Sequence, residues 1–447
     1  HPAPQGLLPP NWVRQWTIQS ARDLARKWKN RQYLLINLLE APLLALLLAI
    51  ILRATDNGAL YSFGQATNIP HFLFIAVIVA IFMGLTVSAE ELFRDRLMRK
   101  REHNLRLNWA AYLTAKSSVL FGISAVQTLL FATVSHAILA LPGQFLAYWF
   151  TLFSVAACAN MFGLVISMLF NSVRVIYLAI PLFIIPQLML GGAIVTFDKL
   201  NPSISNPSGA SSIGQVMISR WGFEALTTLY SAETPYAAAL LEANKALAQS
   251  SFRRDRWHHE MSRQINRAVQ GDAEALRTVA AEWNTLFNQS DVAVSVTFED
   301  GIDGEEQGLL TAELEQFRES QRQAWRRAKS TKDQILQQNG WDDPVLGATI
   351  KEQQYNQVLI DWTTQDQLLN KGVAVHDYQI INTRDALYSA AGWPGYGAFH
   401  ASKVVLGGKT VPKSRGNWAV LWTTTFAFIL TLSLKNAFRL PGQSRRT

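Results

Sequence analysis

The residue types that usually carry chemistry do not converge in this chain of 447 residues. His258, His259 and Glu260 come nearest to a metal-ligating group. Neighbouring histidines leave a helix in different directions, so a solvated surface is the expected reading. Cys158 is the single cysteine and lies in an apolar run, which excludes an intrachain disulfide framework and a cysteine-rich metal site. No Ser-His-Asp set and no carboxylate pair stands out. Charge does: Glu90–Lys116 (EELFRDRLMRKREHNLRLNWAAYLTAK) holds seven of the 41 Lys and Arg residues, wedged between two long apolar runs. Its chemistry is docking. Arg99, Arg101 and Glu102 offer charge, while Leu92, Phe93, Leu97, Leu105, Trp109 and Tyr112 recur at roughly helical spacing. A stretch of this kind is a membrane-surface connector or a seat for something cytoplasmic.

The flanking elements decide its surroundings. Hydrophobic residues make up 49 % of the chain, an average over two unlike parts. Residues 231–410 hold 18 basic and 24 acidic residues, net −6, which leaves 23 basic and 9 acidic, net +14, elsewhere. The overall +8 is therefore no nucleic-acid signal. It is the positive-inside bias of a membrane protein added to a mildly acidic soluble domain. The expected fold class is an α-helical membrane protein, with six transmembrane helices and a mainly helical external domain between helices five and six.

In order, residues 1–10 read as a Pro-rich linker and 11–32 as a cytoplasmic amphipathic helix, its indoles at headgroup level and its cations toward anionic lipid. Residues 33–197 hold spans one to five (Tyr33–Leu52, His71–Ala89, Ser117–Leu141, Phe145–Phe170, Val175–Val195), with the charged hairpin at 90–116. Pro181, Pro186, Gly191 and Gly192 predict that the fifth span is broken. Residues 198–230 form a re-entrant or external segment in which Arg220 and Glu224 stand four apart. Residues 231–412 are the external domain, with one strand expected at Val292–Phe298. Residues 413–437 supply the sixth span and 438–447 a tail. The basic clusters share one side, so both termini are expected in the cytoplasm. A cysteine-free external domain fits a bacterial cytoplasmic (inner) membrane. Phe74, Ile78 and Phe82 share a face of span two, and Phe183, Gln187 and Leu190 a face of span five. These are packing or lipid-facing positions, or else they line a cavity suited to a lipid-like substrate.

Four features in sequence resemble the membrane half of a G-type ABC transporter, within the ABC-2 (type V exporter) family. They are the amphipathic helix before span one; the hairpin pattern of Glu90, Glu91, Phe93, Arg94, Asp95, Arg96, Arg101, Glu102, Tyr112, Leu113, Ala115 and Lys116; the Gly-Gly-Ala-Ile-Val run at 191–195; and SRWGFEAL at 219–226, with Arg220, Trp221 and Glu224. The resemblance covers 11–230 and 417–440. It implies that the hairpin is a coupling helix, with Arg99, Arg101, Glu102, Leu105 and Trp109 bearing on an ABC nucleotide-binding domain. It also implies that spans two and five of two protomers line a cavity, and that Gly191, Gly192, Ala193 and Ile194 form an external valve. The implied partners are that ATPase (fused upstream or separate), a second copy or homologous half, the lipid membrane and an envelope partner of the external domain, with no nucleic acid. No Gly-x-x-x-x-Gly-Lys-Ser/Thr occurs in the 447 residues, so ATP and Mg belong to the partner and no cofactor is expected on this chain. The competing reading is a membrane-anchored scaffold or sensor whose external domain binds a ligand.

Overall fold

Helices dominate, and polar residues decide how the first of them packs. A computed structural model describes residues 11–55, 61–96, 98, 108–195, 197, 200–201, 213–287, 301–364, 372–388, 390–391, 399–406 and 408–437. Helix α1 (Trp12–Lys29) lies against α4 (Trp109–Leu139). It buries Gln15, Gln19, Asp23 and Lys27, each four residues from the last, and leaves Trp12, Ile18, Leu24 and Trp28 exposed. Arg14, Arg22, Arg26 and Lys29 are exposed as well, so the outer side mixes apolar and cationic residues while the α4 side is polar.

Five helices among the described residues are long and apolar enough to cross a membrane: α2 (Arg31–Leu52), α3 (Ile69–Ser88, continued by a single turn Glu91–Arg94), α4, α5 (Phe145–Leu169) and α14 (Lys413–Ala437). Helix α2 buries only Ala41, Ala45 and Ala49, which sit on one face. Helices α3 and α5 form the best-packed pair, because small residues let their backbones close in. A Cβ added at Gly84 would stand 2.5 Å from the Ala156 carbonyl oxygen. The sixth apolar helix, α6 (Val173–Met189), has 17 residues, fewer than the roughly 20 of a typical span. It corrects the expected broken fifth span: the helix runs through Pro181 and Pro186 and stops before Gly191 and Gly192. A proline removes one backbone donor, and here the turns on either side still form.

The hairpin is narrower than 90–116. Asn108 caps α4, its Oδ1 accepting from the N–H groups of Ala110 (2.8 Å) and Ala111 (3.3 Å), so the helix begins at Trp109 and takes in the last eight residues of the stretch. Helix α7 (Ile218–Ala232) carries the SRWGFEAL segment.

The described residues divide into two units, one lying within 11–201, 213–229 and 413–437, the other within 230–412. The second unit is helical as expected: α8 (Pro235–Ser251), a π-helical turn Phe252–Trp257, α9 (His258–Val269), α10 (Ala273–Phe287), α11 (Gly304–Gln338), α12 (Leu346–Gln354) and α13 (Gln357–Thr364). A reciprocal capping box of Asp303 and Glu306 starts α11. Trp257, Met261, Ile265, Val279, Trp283 and Leu310 are among its buried core residues. Five short strands add to the helices: β1 (Val373–His376) pairs antiparallel with β2 (Gln379–Asn382), and β4 (Lys403–Leu406) pairs parallel with β3 (Ala390–Ala391) and antiparallel with β5 (Lys409–Pro412). None of these five strands was expected from the sequence, and the one strand expected, at Val292–Phe298, lies outside the described residues. Of the adjacent histidines, His258 meets Glu315 (3.1 Å) and His259 is exposed.

Buried Glu282 ties helix to sheet. Its carboxylate accepts from Trp257 Nε1 (2.8 Å) and from the Ile380 amide (2.6 Å). Glu282→Leu strands both donors in the core and should cost on the order of 2–4 kcal/mol. The expected readouts are a lower melting temperature and lost hydrogen-exchange protection at Ile380; unchanged protection would show that the carboxylate is dispensable.

Candidate functional site

Six charged side chains meet where α1, the turn after α3 and the start of α4 converge. Lys116 Nζ lies 2.8 Å from Asp23 Oδ1, 2.7 Å from Glu91 Oε2 and 2.9 Å from Asp95 Oδ2. Lys27 pairs with the other Glu91 oxygen. Arg26 reaches Asp95 Oδ1 (2.7 Å) and Asp23 Oδ1 (2.6 Å), and Tyr112 donates its hydroxyl to Asp95 Oδ2 (2.6 Å). Three cations face three carboxylates, and the Lys116 and Asp95 side chains are each only 2 % exposed. Burial of charge at this depth is tolerable only when every charge is met at once. Burial alone would raise the Asp95 carboxyl; the Lys116 charge and the hydrogen bonds from Tyr112 and Arg26 outweigh it and bring it down to about 2. Asp95 thus adds stability that is complete above its ordinary value of 3.8 and is lost as pH falls toward 2.

Further contacts fix the limbs of this elbow. Gln15 Oε1 accepts from the Asn108 amide at 2.9 Å, at the start of α4. The Arg96 guanidinium donates to the terminal carbonyls of α5, Ser167 and Met168 at 3.1 Å and Phe170 at 2.7 Å, where a cation also meets the negative end of the helix dipole. Trp109 Nε1 donates to the Leu432 carbonyl of α14 (3.1 Å) and its ring stacks on Tyr112. Of the expected coupling residues, only Trp109 is described; Arg99, Arg101, Glu102 and Leu105 lie outside the described residues. Asp23 was missed, and so was the joining of Arg26, Lys27, Glu91, Asp95 and Lys116. The period-four stripe Gln15, Gln19, Asp23, Lys27 along α1 is the sequence signal that points to it.

The other expected residues separate into packed and open sets. Phe74 is buried, edge-on to Phe223, and Gln187 is buried as a clamp. Gln187 Oε1 accepts from the Ser219 amide (2.9 Å), and its carbonyl accepts from the Ser219 hydroxyl (2.7 Å). Both side chains are packed within one protomer. Phe183 stacks on Phe162 at 4.0 Å, Ile78 and Leu190 are half-buried, and Phe82 is exposed. At the expected valve, Gly191, Gly192 and Ala193 are buried and Ile194 is exposed. Arg220, Trp221 and Glu224 come together on α7. Arg220 pairs with Glu224 (3.3 Å) and lies over the Trp221 ring at 3.8 Å. Glu224 also accepts from Asn417 of α14 (3.0 Å), so α7 is bound to both α6 and α14.

A bundle of apolar helices with a charged, buried elbow defines an integral membrane protein. Residues 14–230 match the family described as ABC-2 type transporter, and this stretch is the membrane domain of such a transporter. The chain therefore carries the transmembrane part of an ABC transporter, of the kind that works with ABC nucleotide-binding partners in the membrane. No curated protein matches the chain.

Removing one member of the cluster leaves its partners buried and uncompensated. Lys116→Met should destabilise by about 3–5 kcal/mol and Lys116→Arg by clearly less. Thermal unfolding of the purified chain in detergent checks this; equal melting of Lys116→Met and the parent would refute the account of the cluster.

Proposed function

We propose that the chain is the transmembrane half of an ATP-driven exporter that moves a hydrophobic or lipid-like substrate out of the cytoplasm or inner leaflet. The observation that supports this reading is the buried charge cluster. It makes α1 and the two limbs of the hairpin one stiff body, which is what a lever under an ATPase requires. A force applied to residues 97–107 would then reach α3 through Glu91, α4 through Lys116 and α5 through Arg96.

In this reading six helices span the membrane, α6 being the fifth, and both termini face the cytoplasm of a bacterial cell. Two copies assemble, and α3 and α6 of each border the path. Phe82, the exposed member of the expected cavity face, is the first candidate to meet substrate, and Gly191–Ile194 close the outer end. Arg99, Arg101 and Glu102 bear on the nucleotide-binding partner. That partner supplies ATP and Mg; this chain supplies the mechanical link. The second unit lies outside the membrane and meets the substrate or an envelope partner.

The test is reconstitution of the chain with its nucleotide-binding partner in proteoliposomes, with ATP hydrolysis and the flux of a fluorescent lipid followed together. Glu102→Ala and Arg101→Ala are expected to keep assembly and ATP hydrolysis while flux falls about tenfold, a loss of about 1.4 kcal/mol of coupling. Unchanged flux in both variants would remove the coupling role from the hairpin.

A further inference from the structure

The second unit carries positive charge that its own fold does not neutralise. On α11, Trp325, Lys329 and Lys332 follow one another at spacings of four and three, which places them on one face. That face borders an open cleft of about 460 Å³, lined also by Leu247 and Ala248 of α8 and by Arg256 of the π-helical turn. The volume falls within the roughly 300–1,000 Å³ of small-molecule sites.

The cations here are unequally partnered. Arg254 is paired with Asp255 at 2.7 Å and Arg256 with Asp385 at 2.8 Å. Asp385 is further engaged by Asn382 (2.9 Å). Lys329 and Lys332, in contrast, have neither a hydrogen bond nor an ion pair among the described residues. Asp333 also lines the cleft but is exposed and makes no ion pair with either lysine. Lys332 is half-buried. Burial lowers its pKa, the neighbouring Lys351 lowers it further, and Asp333 offsets only part of this. Trp325 is half-buried, with the Lys329 ammonium 5.4 Å and the Arg254 guanidinium 5.6 Å from its ring. The cleft thus combines two unpaired ammonium groups with an indole and two aliphatic side chains; of its two carboxylates, Asp385 is taken up by Arg256 and Asp333 is exposed.

We propose that this cleft binds a small organic anion, a phosphate or carboxylate on an apolar body. Lys329 and Lys332 hold the charged head, and Trp325, Leu247 and Ala248 cover the body. An anion would satisfy both lysines and lift the penalty on Lys332, which a neutral ligand cannot do. Inorganic phosphate alone would leave the apolar wall uncovered, so it should bind more weakly than its alkyl ester. The proposal is independent of the transport reading.

Titration calorimetry on the full chain in phosphatidylcholine nanodiscs tests it, with hexyl phosphate, inorganic phosphate and hexanol as probes. Hexyl phosphate should bind about tenfold more tightly than inorganic phosphate, and hexanol should not bind. Lys329→Gln, at an exposed position, should weaken hexyl phosphate measurably, and Lys329→Gln with Lys332→Gln by about tenfold or more, with unchanged melting. The corresponding double Arg variant should restore binding. Trp325→Ala should weaken hexyl phosphate and leave inorganic phosphate unaffected. Dihexanoylphosphatidylglycerol separates the two sources of this chemistry: tighter binding than hexyl phosphate assigns a lipid headgroup, and weaker binding assigns a soluble anion. Affinity that is unchanged in Lys329→Gln and the double Gln variant, equal binding of hexanol, or no binding of either anion would overturn the proposal.

Discussion

Three carboxylates and three cations gathered at one elbow, all buried except the half-exposed Arg26, are the constraint on which the membrane unit depends. Asp23, Arg26 and Lys27 come from α1, Glu91 and Asp95 from the turn after α3, and Lys116 from α4. No one of these elements can bury its own charges, since each isolated ion would lose far more in hydration than the apolar surroundings return. The cluster closes only when all three are in place. It sets the height of α1, the direction of the hairpin and the start of α4 as a single arrangement. Its value is geometric: a buried ionic network adds little net stability over an apolar core, but it admits few alternative arrangements.

From that elbow the helices are held by different means. Arg96 grips the end of α5, and close backbone approach at Gly84 joins α5 to α3. At the far side of α6, Gln187 fixes Ser219, and Glu224 fixes Asn417. Polar side chains inside an apolar bundle have few alternative partners, so each pins one register. A displacement at the hairpin would therefore pass to α3, α4 and α5 together, and these meet α6 through Phe162 on Phe183 and α7 through Phe74 on Phe223.

Much of this was legible in the sequence. The apolar runs gave the long helices, and Asn11–Arg31 gave α1 through its alternation of indoles and cations. The hairpin residues Glu91, Asp95 and Lys116 were visible as a charged pattern, but their pairing was not, because Lys116 meets Asp23 across 93 residues of chain. A polar stripe on a helix normally faces water, and here it is buried against the charges of α4 and the turn after α3. Gln187 was legible as sharing a helical face with Phe183, but its partner Ser219 was not, since it lies 32 residues on. The strands of the second unit run for two to four residues, too short for an alternating pattern to show. The binding face on α11 was hidden for the opposite reason, since Lys329 and Lys332 resemble any solvated helix until the cleft beside them is seen.

An elbow held this way requires α1 and α4 to move as one body. Trp16 Nε1 donates to Ser118 Oγ at 3.3 Å, which marks a close approach of the two helices away from the charges. Cysteines at these two positions can be joined by a short, reducible cross-linker, and Cys158 is buried and does not compete. The direct measurement is ATP-driven flux of the reconstituted complex before and after cross-linking. A stiff elbow predicts flux within about twofold of the uncross-linked protein, because a bond within one rigid body removes no required motion. Arrest on cross-linking, reversed by reduction, would show that α1 slides on α4 during transport and would contradict the account.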